Sequence, residues 1–216
     1  WDGGNNDMPF YKPDLFLVIV DPHRPGHELL FYPGESNLLM ADVVVINKMD
    51  TAEPENIATV KANIASVNPG AIIIEAASPV TVEKPDVIKG KRCLVVEDGP
   101  TLTHGGMKFG AGIVAAEKFG ATEVVDPRPW ITGTIAETFE SYPDIGKLLP
   151  AMGYGEQQIK DLEATINAVD CDVVIIGTPI DLRRLLQIER PSVRVTCNLK
   201  ETGRPTVANV LASFTK

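Results

Sequence analysis

Short apolar runs that alternate with helix-like stretches constrain the fold of this chain more than any other feature. The apolar runs lie at 15–20, 43–46, 71–74, 93–96, 123–125, 173–176 and 193–196. Amphipathic helical periodicity is seen between them, at 53–67, 110–119, 131–141, 156–168, 181–188 and 206–214. Strands that alternate with helices in this way are typical of β/α units around a mostly parallel sheet. The sequence therefore predicts an α/β fold with three layers.

The charge and apolar content of the chain argue against several classes of function. Its 216 residues carry 20 Lys and Arg against 29 Asp and Glu, whereas a nucleic-acid surface needs clustered basic residues. No apolar run is long enough to span a bilayer, so we expect no membrane partner and a cytoplasmic location. Cys93, Cys171 and Cys197 form no Cys-x-x-Cys pair and lie in or beside apolar runs, which indicates buried free thiols in a reducing cytoplasm. The sequence leaves open whether the chain forms a homo-oligomer.

A polar tetrad, Asn47-Lys48-Met49-Asp50, closes the second apolar run. An Asn-Lys-x-Asp tetrad at a strand end is how GTPase-type domains hold a nucleotide base. We expect Asn47 to brace the neighbouring loops, the Lys48 stem to lie against the base, and the Asp50 carboxylate to accept hydrogen bonds from its edge. Guanine offers two N–H donors to a carboxylate, whereas adenine presents an unprotonated N1 there. Ser78, which follows the third apolar run, is expected to complete the nucleotide site.

The phosphate-binding P-loop that usually accompanies such a tetrad is missing from these 216 residues. Gly90-Lys91-Arg92 and Gly146-Lys147-Leu148 lack both the following Ser or Thr and the required upstream Gly. The chain starts at Trp1 without an initiator Met, so we expect it to be a piece of a longer protein. Asp2, close to that start, would suit a Mg²⁺ site if the preceding residues form a strand; a polar surface loop is the alternative.

Proline residues indicate where one domain gives way to the next. The segment 78–90 contains Pro79 and Pro85, which make a continuous helix across it unfavourable. We therefore expect residues 1–87 to be the C-terminal part of a P-loop NTPase-like nucleotide-binding domain. Residues 88–216 are expected to form a second, Rossmann-like α/β domain.

Two histidines and an arginine lie on a stiff turn, 21–28, directly after the first predicted strand. In open α/β sheets, the carboxyl ends of the strands face the ligand crevice. The guanidinium of Arg24 can clamp a phosphate, and His23 or His27 can donate a hydrogen bond or shuttle a proton. These three residues are therefore candidate catalytic groups, and a rigid connector with incidental histidines is the alternative.

A glycine-rich loop follows the predicted strand at 93–96. Gly105 and Gly106 permit a close backbone approach, and the amides at the start of the next helix can meet an anion. Glu97 and Asp98 would repel a bare phosphate, so they fit better as Mg²⁺ ligands, as partners of Lys or Arg, or as caps of a turn. The loop adds three side-chain donors, Thr101, Thr103 and His104. A simple β-to-α turn that needs glycine for its geometry is the alternative.

Two further loops follow predicted strands. Arg128, between Pro127 and Pro129, is a candidate for a second anion contact. Thr178 is a candidate substrate ligand of the same kind, and Asp181 is suited to cap the next helix.

Together these motifs resemble the cyclic 2,3-diphosphoglycerate synthetase family. The resemblance runs along the whole chain and rests on the segments 1–7, 21–27, 47–50, 96–106, 126–129 and 177–181. Members of that family are longer than this chain, and their P-loop lies in a part that these residues do not include.

The resemblance implies an ATP-dependent ligase that closes 2,3-diphosphoglycerate into its cyclic phosphoanhydride. Phosphoryl transfer from ATP would create a leaving group on one phosphate, and the neighbouring phosphate would displace it while Mg²⁺ and cationic side chains offset the charge. ATP and Mg²⁺ are thus the expected cofactors, GTP stays open because of the tetrad, and the expected partner is a small phosphorylated substrate. The side chains expected to offset the charge are those of His23, Arg24, His27, His104, Lys108 and Arg128.

Two other functions stay open. A metallochaperone-type GTPase would need a metal-binding partner, and the sequence has no Cys-x-x-Cys pair or His-rich tract to support one. A non-catalytic nucleotide-sensing module would fit a native start at Trp1. We expect little or no nucleotide turnover from these residues alone, because the phosphates lack their cradle.

Overall fold

A computed structural model of the chain describes residues 3, 7–103, 110–153 and 155–213, apart from the side chain of Thr101. The chain forms two compact units, Trp1–Pro79 with Asn198–Lys216, and Val80–Cys197. This division differs from the expected boundary after residue 87. No helix within the described ranges is long and apolar enough to cross a membrane. Cys93 and Cys171 are buried as expected, whereas the expectation is wrong for Cys197, which is exposed at the end of the strand Ser192–Cys197.

The first unit is built on a four-stranded sheet. Its strands are β1 (Leu17–Val20), β2 (Val43–Ile46), β3 (Ile72–Ala77) and β10 (Lys200–Glu201), numbered in chain order. The spatial order is β1-β2-β3-β10, with the first three strands parallel and β10 antiparallel to β3. Its helices are α1 (His27–Leu30), α2 (Gly34–Met40), α3 (Pro54–Val67) and α8 (Val207–Leu211).

Both faces of this sheet carry apolar side chains, which explains why β2 is a continuous run of Val and Ile. On one face, Val44 and Ile46 pack with α2 and α3 through Leu38, Val60 and Ile64. On the other face, Val43, Val45, Ile74 and Ala76 pack against Val210 of α8. All four residues of β2 are fully buried as a result.

The second unit holds a six-stranded sheet. Its strands are β4 (Val80–Val82), β5 (Arg92–Asp98), β6 (Glu123–Val124), β7 (Leu149–Ala151), β8 (Val173–Ile176) and β9 (Ser192–Cys197). The order is β4-β9-β8-β5-β6, and β7 pairs with the end of β5; β4 runs antiparallel to β9, and the other pairs are parallel. Its helices are α4 (Gly99–Thr103), α5 (Ala111–Lys118), α6 (Gly133–Ser141) and α7 (Glu156–Ala168), joined by 3₁₀ turns at Pro85–Val87, Arg128–Trp130, Pro143–Ile145 and Leu182–Arg184.

The predicted α/β class is confirmed, and each of the seven apolar runs contains a strand. The observed helices and sheets are consistent with three layers. The unit division reflects two pairings at the sheet edges: β4 joins the second sheet through β9, and β10 returns the C-terminal residues to β3. Because β4, β7 and β10 have only two or three residues each, they give too little periodicity to recognise from sequence.

The helix predicted at 181–188 is wrong, because only the 3₁₀ turn Leu182–Arg184 forms there. The backbone N–H of Gln187 donates to the Glu163 carboxylate at 2.7 Å, and that of Glu189 donates to Asn167 Oδ1 at 3.0 Å. Side chains of α7 therefore take the amides that a longer helix would have bonded internally.

Candidate functional site

The tetrad 47–50 lies at the carboxyl end of β2, between the ends of β1 and β3. The backbone N–H of Asn47 donates to the carbonyl of Val20, and that of Met49 donates to the carbonyl of Ala76, both at 3.1 Å. These two bonds fix the loop to the strands on either side of it. The loop therefore occupies the edge of the parallel sheet where ligands bind in α/β proteins.

The Asp50 carboxylate is held by the protein through one of its two oxygens. Its Oδ1 accepts a hydrogen bond from the backbone N–H of Ser78 at 2.9 Å, which orients the side chain. Asp50 is exposed, and within the described part of the chain its Oδ2 has no hydrogen-bond partner. One oxygen is thus held by the protein while the other can accept from a ligand. Ser78 thus orients Asp50 with its backbone N–H rather than with its side chain.

Lys48 adopts an unusual backbone conformation between these two groups. Its φ is 57°, in the left-handed region that non-glycine residues rarely adopt, and such conformations concentrate at ligand sites. Its N–H donates to Asn47 Oδ1 at 2.8 Å, and its Nζ lies 2.7 Å from Asp21 Oδ2. The ammonium group is therefore directed to the end of β1.

Asp21 links the turn after β1 to the tetrad. Its Oδ1 accepts from the backbone N–H of His23 at 3.0 Å, and its Oδ2 also accepts from Arg24 Nη2 at 3.4 Å. Burial favours the neutral acid, but the pKa of Asp21 still falls below its ordinary value because Lys48, the His23 amide and Arg24 together outweigh burial. Sequence reasoning gave Asp21 no role, although an Asp directly after a strand is a signal that could have identified it.

The structure brings His23 and Arg24 to this edge. His23 Nε2 lies 2.9 Å from Oγ1 of Thr51, the residue after the tetrad. Arg24 is linked to the tetrad through Asp21, which pairs with both Arg24 and Lys48. His27 begins α1, and its ring packs edge-on against Phe31 with 4.8 Å between centroids. Arg24 and His27 border a cavity of about 870 Å³ beside β1. The catalytic roles of the three residues stay predictions.

In the second unit, Glu97 at the end of β5 is buried, with 3% of its surface exposed. Its Oε1 accepts from the backbone N–H groups of Gly112 at 2.7 Å and Ile113 at 3.0 Å, at the start of α5. A Cβ added at Gly110 or Gly177 would overlap the carboxylate, so glycines enclose it. Burial raises the pKa of Glu97 to about 7, although the two amide bonds act in the opposite direction.

Of the expected roles for Glu97, which are Mg²⁺ ligand, partner of Lys or Arg, and cap, the structure shows the last, because the carboxylate accepts from the first amides of α5. The amides expected to meet a ligand anion at the start of α5 instead bind a carboxylate of the chain itself. Sequence reasoning missed the enclosure because Gly110 and Gly177 lie far from Glu97 along the chain.

The remaining candidates in the second unit have local partners. Thr103 Oγ1 donates to the carbonyl of Gly99 at 3.0 Å within α4, and Thr178, which is 2% exposed, donates to the carbonyl of Ile180 at 2.6 Å. Arg128 is exposed and its Nε donates to Asp126 Oδ1 at 2.9 Å, which holds the pKa of Asp126 below its ordinary value. Asp98 is half-buried at the end of β5.

Several candidate residues lie outside the described part of the chain. They are Asp2, His104, Gly105, Gly106 and Lys108, together with the side chain of Thr101. Within the described ranges, no group of three His, Cys, Asp or Glu side chains is arranged to hold a metal ion.

The chain is similar to a protein named arginine synthetase ArcE from Thermococcus kodakarensis. The two sequences are 61% identical over all 216 residues of this chain, which correspond to 48% of the relative. The chain thus spans about half the length of the curated relative that it matches. No protein-family model matches the chain. The relative is named as a synthetase, but for a different product from the one expected above.

Proposed function

We propose that this chain provides the nucleotide-binding part of an ATP-dependent synthetase of the ligase type that forms arginine. The observation that supports nucleotide binding is the exposed Asp50, whose carboxylate accepts from the Ser78 amide through one oxygen and has no hydrogen-bond partner among the described residues for the other. The observation that supports the activity is the 61% identity to a protein named arginine synthetase. We interpret the first unit as part of a P-loop NTPase-like domain.

The described residues fit the base of a nucleotide better than they fit its phosphates or Mg²⁺. Asp50 can accept hydrogen bonds from the N–H groups of a base. Asp21, the other acidic group at this edge, is already paired with Lys48 and Arg24, and no three-residue metal cluster is found in the described ranges. Any phosphate and Mg²⁺ ligands would therefore have to include other residues of the protein.

Formation of arginine suits nucleotide-dependent chemistry. Joining carbon to nitrogen with loss of water is unfavourable in water, because the oxygen that must leave the carbon is a poor leaving group. A nucleoside triphosphate can activate that oxygen by transferring a phosphoryl or nucleotidyl group to it. The cyclic 2,3-diphosphoglycerate ligase remains the second candidate because of the motif resemblance in the turn 21–27 and the glycine-rich loop. Both candidates share the nucleotide-binding edge and differ in the second substrate.

An Asp50→Asn substitution tests the nucleotide site. Hydrogen bonds to a charged group contribute about 1.5–3 kcal/mol, so we expect a loss in nucleotide affinity of about tenfold or more, measured by calorimetry with ATP and with GTP. A greater loss for GTP than for ATP would identify guanine as the base. Asp86→Asn, an exposed change in the second unit, is the matched control. Unchanged affinity in Asp50→Asn, or no binding by the unmodified chain, would overturn the proposal.

A product assay with a full-length homologue separates the two activities. A synthetase that forms arginine must also run in reverse, so cleavage of the carbon–nitrogen bond that it makes should release its two precursors and support ATP formation from ADP and phosphate or from AMP and pyrophosphate. With ATP and 2,3-diphosphoglycerate, phosphorus NMR would reveal a cyclic product instead. Formation of the cyclic product without any arginine-dependent ATP formation would reject arginine as the product.

A further inference from the structure

Within the described residues, β1 is the outermost strand of the first sheet and is paired on one side only. Among the described residues, β2 is its only strand neighbour. The carbonyl of Phe16 accepts a hydrogen bond from the backbone N–H of Val43 in β2, and the carbonyl of Val20 accepts one from Asn47, the residue after β2. The backbone polar groups of every second residue of β1, counted from Phe16, therefore face β2. The backbone N–H and C=O groups of Leu17 and Ile19 therefore point away from β2.

β1 lacks the features that usually prevent an edge strand from pairing with a further strand. Edge strands commonly carry a charge, a proline or a bulge that blocks further pairing. β1 reads Leu-Val-Ile-Val, and Ile19 is 62% exposed. Phe31 and Tyr32, after α1, are also exposed. An exposed apolar edge of this kind marks a surface that another protein segment covers.

A groove runs along this edge and contains unsatisfied polar groups. The cavity of about 870 Å³ is lined by all four residues of β1, by parts of α1 and α2, and by residues between 7 and 16. Asn37, which is 9% exposed, borders it and donates from Nδ2 to the carbonyl of Asp7. Its Oδ1 and the Nε of Arg24 are buried without a hydrogen-bond partner in the described structure. Buried polar groups are normally paired, so these two indicate a missing partner.

We propose that β1 pairs with an additional β-strand from protein sequence outside these 216 residues, and that this strand fills the groove. The similarity to the Thermococcus kodakarensis relative identifies a source, since more than half of that relative lies outside the match. A strand supplies N–H and C=O groups to Leu17 and Ile19 and apolar side chains to Ile19. The strand belongs to the same polypeptide in that relative. The proposal is independent of which product the enzyme forms.

Amide hydrogen exchange tests this pairing residue by residue. In the 216-residue chain, the amides of Leu17 and Ile19 should exchange rapidly, whereas those of Val18 and Val20 are protected by β2. In the full-length relative, the amides equivalent to those of Leu17 and Ile19 should exchange at least about 100-fold more slowly, because hydrogen bonds to the added strand protect them. Equally rapid exchange at those two positions in the full-length protein would overturn the proposal.

Substitution of Ile19 by lysine provides a second, independent test. Ile19→Lys should leave the melting temperature of the 216-residue chain within a few degrees of wild type, because the side chain is exposed there. The equivalent change in the full-length relative should lower its melting temperature markedly more, since a charge would be buried in the strand interface. Leu185→Lys, at an exposed apolar position in the second unit, is the matched control. An equal shift for Ile19→Lys in both proteins would contradict the pairing.

A second copy of the chain is the competing occupant of the edge. If two β1 strands pair with each other, the 216-residue chain will form a dimer in sedimentation experiments, and Ile19→Lys will make it monomeric. That result would overturn the proposal. A monomer at all concentrations, with unprotected amides at Leu17 and Ile19, supports it.

Discussion

The buried carboxyl group of Glu97 should make the second unit less stable as the pH rises. Its pKa is raised from 4.5 to about 7, first because burial disfavours the charge and also because Asp98 lies nearby. The folded state therefore holds the proton more tightly than the unfolded state. This contribution to stability is fully present below pH 4.5 and is lost as the pH rises through 7.

The magnitude follows from the difference between the two pKa values. A shift from 4.5 to about 7 spans 2.5 pH units, and at about 1.36 kcal/mol per unit it corresponds to about 3 kcal/mol. The Glu97→Gln variant keeps the shape of the side chain and an oxygen that can accept from Gly112 and Ile113, but it does not titrate. The free energy of unfolding of the variant should rise relative to wild type by about 3 kcal/mol between pH 4.5 and 8.

Urea denaturation at a series of pH values measures this difference. Tryptophan fluorescence in a Trp1→Phe background leaves Trp130 as the only tryptophan, so the signal reports on the second unit. Glu140→Gln, which removes an exposed carboxylate at the end of α6, is the control and should not reproduce the effect. A difference between Glu97→Gln and wild type that is constant with pH, or that falls as the pH rises, would refute the reasoning.

Two further substitutions test the packing of each unit by urea denaturation. Gly112→Ala places a Cβ 2.7 Å from Val95 Cγ1, so the strain should outweigh the better helix propensity of alanine and destabilise the second unit by about 1–2 kcal/mol. Gly70→Ala, which has room for its Cβ, should be close to neutral, and equal effects would contradict the clash. Asn68→Ala removes three hydrogen bonds from Nδ2 to carbonyls around the end of α2, at 2.9, 3.4 and 2.8 Å, and should cost the first unit about 1–2 kcal/mol. The exposed Asn198→Ala is its control, and a loss below about 0.5 kcal/mol in Asn68→Ala would show that water replaces the side chain.

The local pattern of apolar and polar residues was sufficient to predict most of the strands and helices. The run at 43–46 is apolar at every position, and the structure buries it on both faces as such a run requires. The helix α3 begins at Pro54, within one residue of its predicted start, because proline suits the first helical turn. These features depend on residues that are close together in sequence.

Long-range pairing could not be read from the sequence in the same way. β10 consists of Lys200 and Glu201, two polar residues that form a strand only because β3 offers an edge. The unit division depends on this contact and on the pairing of β4 with β9. Neither contact leaves a periodic signal, so sequence placed the boundary at the proline-rich segment 78–90.

The candidate site shows the same distinction. The tetrad could be placed at a strand end from sequence, and the structure confirms that position. The ion pair between Lys48 and Asp21 could not be predicted, because it depends on the register that aligns Val20 with Ile46 in neighbouring strands. That register places the residues after both strands side by side.

The two units differ in what their strand ends leave available to a ligand. In the second unit, Glu97 already holds the amides of Gly112 and Ile113, and protonation of its other oxygen would not release them. A ligand anion at the start of α5 therefore cannot use those amides while Glu97 stays in place. In the first unit, Asp50 is an exposed residue that is held through one carboxylate oxygen. Among the described residues, the strand ends of the first unit accordingly leave a carboxylate oxygen without a protein partner, which makes them the better candidate for a ligand site.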